Sequence, residues 1–118
     1  MNSVEKGRRG EAIAESFFKA KGFSVICRNY RNGRGEIDLI VGNEREIVFV
    51  EVKHWQTLSE ENMEYVLGAE KKMRILSTSK LFLRDNPQYD ESGIRYDVLF
   101  ISDTENPVHI KDAFGEDF

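Results

Sequence analysis

Gly35-Glu36-Ile37-Asp38-Leu39-Ile40-Val41, a connection at Gly42-Asn43-Glu44-Arg45, and Glu46-Ile47-Val48-Phe49-Val50-Glu51-Val52-Lys53-His54 decide how this chain reads. Both flanks are rich in β-branched and large apolar residues, which pack well on a pleated surface. The Gly-Asn step between them suits a tight turn. Residues 36–41 and 46–54 are therefore expected as two strands of a hairpin. Ile47-Val48-Phe49-Val50 is apolar without a break, where a half-buried strand would alternate. Such a run indicates burial on both faces, hence a central strand covered on both sides.

Charge follows that run at once. Residues two apart on a strand share a face, so Glu51 and Lys53 project together, and lone charges beside a buried segment are costly. In a hairpin, Asp38 falls beside Glu51. Two carboxylates at close range repel and raise a pKa; a bound divalent cation removes the conflict. Two carboxylates with backbone carbonyls and waters suit the hard octahedral shell of Mg²⁺, with Mn²⁺ as a substitute. Such a cation acidifies water and polarises a phosphoryl oxygen. Lys53 can orient the water or stabilise charge on the phosphate, and Glu36, on the face of Asp38, can assist. The chemistry that needs this set is phosphodiester hydrolysis. For an isolated Glu-x-Lys, a surface salt bridge is the commoner explanation. The aspartate at hairpin spacing and the buried run set this one apart.

Outward from the hairpin, residues 3–21 read as a helix stopped by Gly22. Its apolar stripe is Ile13, Phe17 and Ala20, widened by Ala14 and Phe18, and Gly7 and Gly10 weaken its first turns. Residues 23–28 read as a strand, and 29–35, with Asn-Gly and Arg-Gly steps, as a loop. Thr57-Leu58-Ser59-Glu60 has the spacing of a capping box. A helix is expected over 69–84 with Met73, Leu76, Lys80 and Leu83 on one side, ended by Asn86-Pro87. Strands follow over 94–102 and 108–113. The order helix, three strands, helix, strand, strand predicts an α/β fold, a mixed central β-sheet flanked by helices.

The chain has 118 residues, 40% hydrophobic and 32% charged, and carries a net charge of −4. That is the length and make-up of one globular domain, residues 1–118. No apolar stretch approaches the roughly 20 residues of a membrane span, and the start lacks a signal core, so a cytoplasmic protein with no membrane partner is expected. Cys27, the only cysteine, excludes an internal disulfide and a cysteine zinc cluster; it reads as a small buried filler. The acidic balance argues against a generic polycation that coats nucleic acid. Within residues 1–35, however, eight Lys and Arg face three Glu. This asymmetry places a basic face beside an acidic pocket, although both halves could equally be solvated surface.

Several blocks together resemble a known family. Asp38 followed by Glu51-Val52-Lys53 matches the PD-(D/E)-X-K pattern of the restriction-endonuclease-like superfamily. Gly10-Glu11 with Ala14, Arg28-Asn29-Tyr30-Arg31, Gly35-Glu36-Ile37-Asp38-Leu39-Ile40, Val48-Phe49-Val50-Glu51-Val52-Lys53, Lys72 with Arg74, Arg95-Tyr96-Asp97-Val98 and His109-Ile110-Lys111-Asp112-Ala113-Phe114 resemble the YraN family within it. The resemblance covers nearly the whole chain. The bare Asp…Glu-x-Lys pattern is weakly specific, and the ordered blocks are strong. They imply a restriction-endonuclease-like core related to Holliday-junction resolvases. Two positions depart from expectation: Ile37 stands where the superfamily pattern has proline, and Trp55 where a basic residue is expected two places after the lysine.

Glu11 shares a helix face with Ala14, Glu15 and Phe18. Related resolvases use a first-helix glutamate as an extra metal ligand, and Glu11 is the matching position; a first-turn acid favoured by the helix dipole explains it equally well. The expected catalytic set is thus Asp38, Glu51, Lys53 and Glu11, with Asp38, Glu51 and Glu11 on the metal. Arg28, Arg31, Arg34, Lys72 and Arg74 are expected on nucleic acid, with Lys71, Lys72 and Arg74 equally readable as a solvated helix face. Trp55 and Tyr30 could stack on bases, though packing is the default for each. His54 should face away from Lys53 as a strand-end packing residue, and His109 has no partner motif. The resulting expectation is a Mg²⁺-dependent DNA endonuclease, on branched or structured DNA, with a homodimer presenting two sites. The alternatives are a binding module that keeps the nuclease fold without turnover, and an interaction protein with no nucleic-acid role.

Overall fold

The computed structural model describes residues 3–54, 67–102 and 106–115. Helix α1 (Ser3–Ala20) leads into three strands, β1 (Ser24–Asn32), β2 (Gly35–Gly42) and β3 (Glu46–His54). Helix α2 (Ala69–Asp85) and a 3₁₀ turn (Pro87–Tyr89) follow, then β4 (Gly93–Ile101) and β5 (Val108–Phe114). The strands form one sheet in the order β1-β2-β3-β4-β5. Neighbours are antiparallel except β3 and β4, which run parallel. A parallel pair needs a long crossover, and α2 lies within it. The fold is α/β with a mixed sheet, as the element order predicts. Among the described residues no helix is long and apolar enough to cross a membrane. The capping box at 57–60 and Trp55 lie outside the described residues.

Two cores flank the sheet, and β3 shows why its apolar run is unbroken. Ile47 and Phe49 enter a cluster with Ile75, Leu76 and Phe82 of α2, while Val48 and Val50 enter one with Ala14 and Phe18 of α1. All four strand residues are at 1% exposure or less. Burial of one such side chain is worth roughly 1.5–3 kcal/mol, so a polar residue anywhere in the run would be costly.

The helices are rotated from the faces expected of them. On α1 the fully buried pair is Ala14 and Phe18, one turn apart, with Ile13 and Phe17 at the edge and Ala20 exposed. On α2 the buried residues are Ile75, Leu76, Thr78, Ser79 and Phe82, while Met73 is 60% exposed. Two hydroxyls displaced the face from its expected line, because each finds an acceptor inside. Thr78 Oγ1 donates to the Arg74 carbonyl at 2.7 Å, and Ser79 Oγ lies 2.8 Å from the Leu76 carbonyl and 2.7 Å from the Tyr96 hydroxyl. Thr78 packs against Gly35, where an added Cβ would stand 3.0 Å from its Oγ1. This contact seats α2 over the start of β2.

The loop expected over 29–35 is a correction. β1 continues through it, and only Gly33 and Arg34 separate Asn32 from its partner Gly35. The Asn32 carboxamide accepts the Arg34 N–H at 2.9 Å and closes the turn. Asn29 keeps the strand going at a φ of 49°, a left-handed conformation that asparagine tolerates better than most residues. Cys27 is half-buried and packs against the α2-side core.

Candidate active site

The β2–β3 ladder ends at the pair Leu39 and Val50. The next residues are Asp38 on one strand and Glu51 on the other, where the strands part. Asp38 replaces the missing ladder contact with its side chain: the Val52 N–H donates to Asp38 Oδ2 at 2.8 Å. Alternation also breaks here, since Ile37 and Ile40, three apart, join the same α2-side core. Glu51 continues the Ile47–Phe49 face and is 6% exposed.

The carboxylates meet. Burial, the negative charge of Glu51 and a hydrogen bond with it push the Asp38 carboxyl up to about 7, against the opposing Val52 N–H. Cations gather on the same side. Lys53 Nζ lies 3.8 Å and Lys71 Nζ 2.8 Å from Glu51 Oε1. Burial, and then the neighbouring Lys71 ammonium, lower the Lys53 pKa. For Lys71 burial acts downward, but the Glu51 carboxylate outweighs it and the pKa is raised.

Asp38, Glu51 and Lys53 thus stand together. Glu11 does not join them: its carboxylate accepts the Asn29 amide at 3.0 Å. Among the described residues no three Asp, Glu, His or Cys side chains form a metal-ligand group. The donor set nonetheless fits Mg²⁺, which commonly takes one or two protein carboxylates and completes its octahedron with water and substrate oxygens. Glu36 pairs with Arg31 at 3.2 Å on the surface. Arg28 is held by Glu15 through both carboxylate oxygens, at 3.0 and 2.7 Å. Arg34 and Arg74 are exposed, and a Cβ added at Gly35, next to Arg34 in the chain, would stand 3.6 Å from Arg74 Cβ. Lys72 is half-buried on the same helix as Arg74. Tyr30 packs edge-on to Phe82 at 5.1 Å.

His54 turns away from Lys53, as expected of alternation, and packs against Gly10. A Cβ at Gly10 would come within 2.5 Å of the imidazole. The glycine that weakens α1 in the sequence is therefore what lets α1 approach β3. His109 is a further correction, for it has a strong partner. Its Nε2 lies 2.6 Å from Oδ2 of Asp97, which is fully buried. Arg95 grips both Asp97 oxygens at 2.9 Å and reaches Glu46 at 2.9 Å. The alternation Arg95-x-Asp97 was the available signal, since both side chains had to share one face.

Lys71 is the other residue whose place the sequence left open. It stands in the first turn of α2, where a positive charge opposes the helix dipole. That misfit is its sequence signal, and Glu51 resolves it.

Fold and site together define an α/β domain with a five-stranded mixed sheet and an Asp-Glu-Lys cluster where two central strands part. A family model described as "Uncharacterised protein family UPF0102" matches residues 10–101, and the chain belongs to that family. A UPF0102 protein from Natranaerobius thermophilus is 37% identical over 97% of this chain and 100% of its own length. One from Desulfosudis oleivorans is 36% identical over 92% of this chain and 88% of its own, and one from Treponema pallidum 35% over 93% and 92%. The family membership drawn from the ordered sequence blocks is thereby borne out. The matched segment contains Glu11, Asp38, Glu51, Lys53 and Lys71.

Proposed function

We propose that this protein is a metal-dependent endonuclease that hydrolyses DNA phosphodiester bonds, with Mg²⁺, or Mn²⁺ in its place, held by Asp38 and Glu51. The observation that carries this reading is two carboxylates in contact, one 6% exposed and the other pushed up to about 7, beside a lysine on the same strand. This pair is held together at the end of a strand ladder. When bound, the cation supplies Lewis acidity at the phosphate and acidifies water.

The chain's own groups do the rest. The Val52 N–H fixes one Asp38 oxygen and so aims the other at Glu51. Lys53, partly buried and lowered in pKa, donates to the charge that develops on the phosphate. Glu11, with one carboxylate oxygen on Asn29, is not used in this reading. Arg34 and Arg74, with Lys72, offer phosphate contacts. Branched or otherwise structured DNA suits a small domain with little surface for gripping a straight duplex. Cutting both strands needs two sites, which a homodimer provides, and a DNA substrate accords with a cytoplasmic protein.

A second reading is a nucleic-acid-binding module without turnover. It is favoured by the Lys71 ammonium 2.8 Å from Glu51, which partly neutralises the site from within. Lys53→Met separates the two. It removes a phosphate donor and leaves both metal carboxylates, so Mn²⁺ binding by calorimetry should persist. Single-turnover cleavage of a branched substrate should fall on the order of a hundredfold. If wild type binds the DNA but cuts no faster than Lys53→Met, the binding module is the correct reading. If neither protein binds nucleic acid at low salt, both readings fail.

A further inference from the structure

Two lysines reach Glu51, and hydrolysis as described above uses only one. Lys53 comes from the same strand, at 3.8 Å. Lys71 comes from another element, the first turn of α2, and stands closer, at 2.8 Å. The closer of the two cations on the acid is therefore an ammonium supplied by the helix.

The position is built. Thr78 against Gly35 seats α2 over β2, and Ile75, Leu76 and Phe82 lock the helix onto the sheet core. The Lys71 backbone is thereby fixed beside the site, while its long side chain is half-buried and reaches Glu51 through its ammonium. A lysine at this point of a helix opposes the dipole, yet its ammonium stands 2.8 Å from Glu51 Oε1. An arrangement that needed only to neutralise Glu51 would use one lysine.

We propose that Lys71 is a second lysine of the hydrolytic site: its ammonium occupies Glu51 while no divalent cation is bound, and turns to a phosphate oxygen of the substrate strand when one is. This rests on the endonuclease reading above and names a residue that reading does not use. A divalent cation on Glu51 repels an ammonium 2.8 Å from the same oxygen. The nearest group able to accept the displaced ammonium is the anionic phosphate that the cation brings in. Lys71 thus competes with metal in the free protein and supports phosphate in the loaded one. A surface salt bridge would do only the first, and a residue that merely positions Glu51 would do neither.

The two roles push one substitution in opposite directions. Lys71→Met removes the competitor, so Mn²⁺ affinity measured by calorimetry without DNA should rise about fivefold, the scale of a half-exposed ion pair. The same variant removes a phosphate donor. At saturating Mn²⁺, single-turnover cleavage of a branched substrate should therefore slow on the order of a hundredfold. Lys71→Arg, which keeps the charge, should restore most of the rate. Tighter metal binding with slower cleavage supports the proposal. Unchanged affinity, weaker affinity or an unchanged rate in Lys71→Met each overturns it, weaker affinity by showing that Lys71 merely holds Glu51 in place. Thermal denaturation of each variant without metal confirms that the comparison is between folded proteins. If wild type itself takes up no Mn²⁺, the endonuclease reading has failed, an outcome distinct from all of these.

Discussion

Asp38→Asn should stabilise the metal-free protein, and more so as pH rises. In the folded chain the Asp38 carboxyl is pushed from 3.8 to about 7, by burial first and then by Glu51. A raised folded pKa means that the native state binds the proton more tightly than the unfolded chain. The stability linked to that proton is complete below about pH 4 and is lost as pH climbs through 7. At about 1.4 kcal/mol for each pH unit, the rise corresponds to on the order of 4 kcal/mol by pH 8. Asparagine reproduces the protonated acid. Its carbonyl can still accept the Val52 N–H, now 2.8 Å from Asp38 Oδ2, and its amide can donate to Glu51. Urea denaturation in the presence of a chelator, at pH 5, 6.5 and 8, gives the difference between variant and wild type directly. The gap should be about 1–2 kcal/mol at pH 5 and on the order of 4 kcal/mol at pH 8. Millimolar Mg²⁺ at pH 8 should close it from the wild-type side, since a ligand bound only by the folded state stabilises by mass action. A gap that does not change between pH 5 and 8, or a variant less stable at pH 8, would refute the reasoning.

Three further perturbations probe the surroundings. Replacing Arg34 and Arg74 with glutamine should reduce the slope of log DNA affinity against log salt by about 2, one for each lost phosphate contact; an unchanged slope puts the DNA on another face. Gly10→Ala sets a methyl within 2.5 Å of the tip of the exposed His54 ring, which can swing aside, so the gain of roughly 1 kcal/mol from replacing a helical glycine should be reduced, as read by urea midpoint. His54→Ala in the same chain should restore the full gain, which helix propensity alone would not show. Asp97→Asn leaves the buried Arg95 guanidinium with Glu46 as its remaining ion-pair partner and should cost about 2–3 kcal/mol, short of the roughly 3–5 kcal/mol of a fully unpaired buried charge, visible in chemical denaturation.

Local pattern made β3 and the core of the site legible. Four β-branched and aromatic residues in succession, next to a Gly-Asn turn, read as a strand covered on both faces, and Asp38, Glu51 and Lys53 follow from hairpin register and alternation. What could not be read from spacing were contacts between elements far apart in sequence. The face of α2 depends on the hydrogen bond between Ser79 and the Tyr96 hydroxyl of β4, 17 positions away. The end of β1 was hidden because asparagines and glycines signal loops, while Asn29 here carries a left-handed residue inside a strand. Lys71 carried a local signal, a positive charge in a first helical turn, but nothing local says which strand the first turn of α2 will meet.

The same limit explains why two aspartates that look alike in sequence part ways in function. Each accepts a backbone N–H where a ladder fails. Asp38 takes Val52 where β2 and β3 separate. Asp97 takes Asp112 at 3.0 Å where the β4–β5 register shifts between Tyr96 and Val98 and Asp112 adopts a φ of 54°. Their other partners differ in sign. Asp97 is met by Arg95 and His109, so its charge is matched inside the fold. Asp38 is met by Glu51, and the lysines nearby stand on Glu51. A carboxylate whose fold supplies cations serves the fold. One whose fold supplies another carboxylate holds free energy that only an outside cation or a proton can release, and that difference singles out Asp38 rather than Asp97 as the acid with work to do on a ligand.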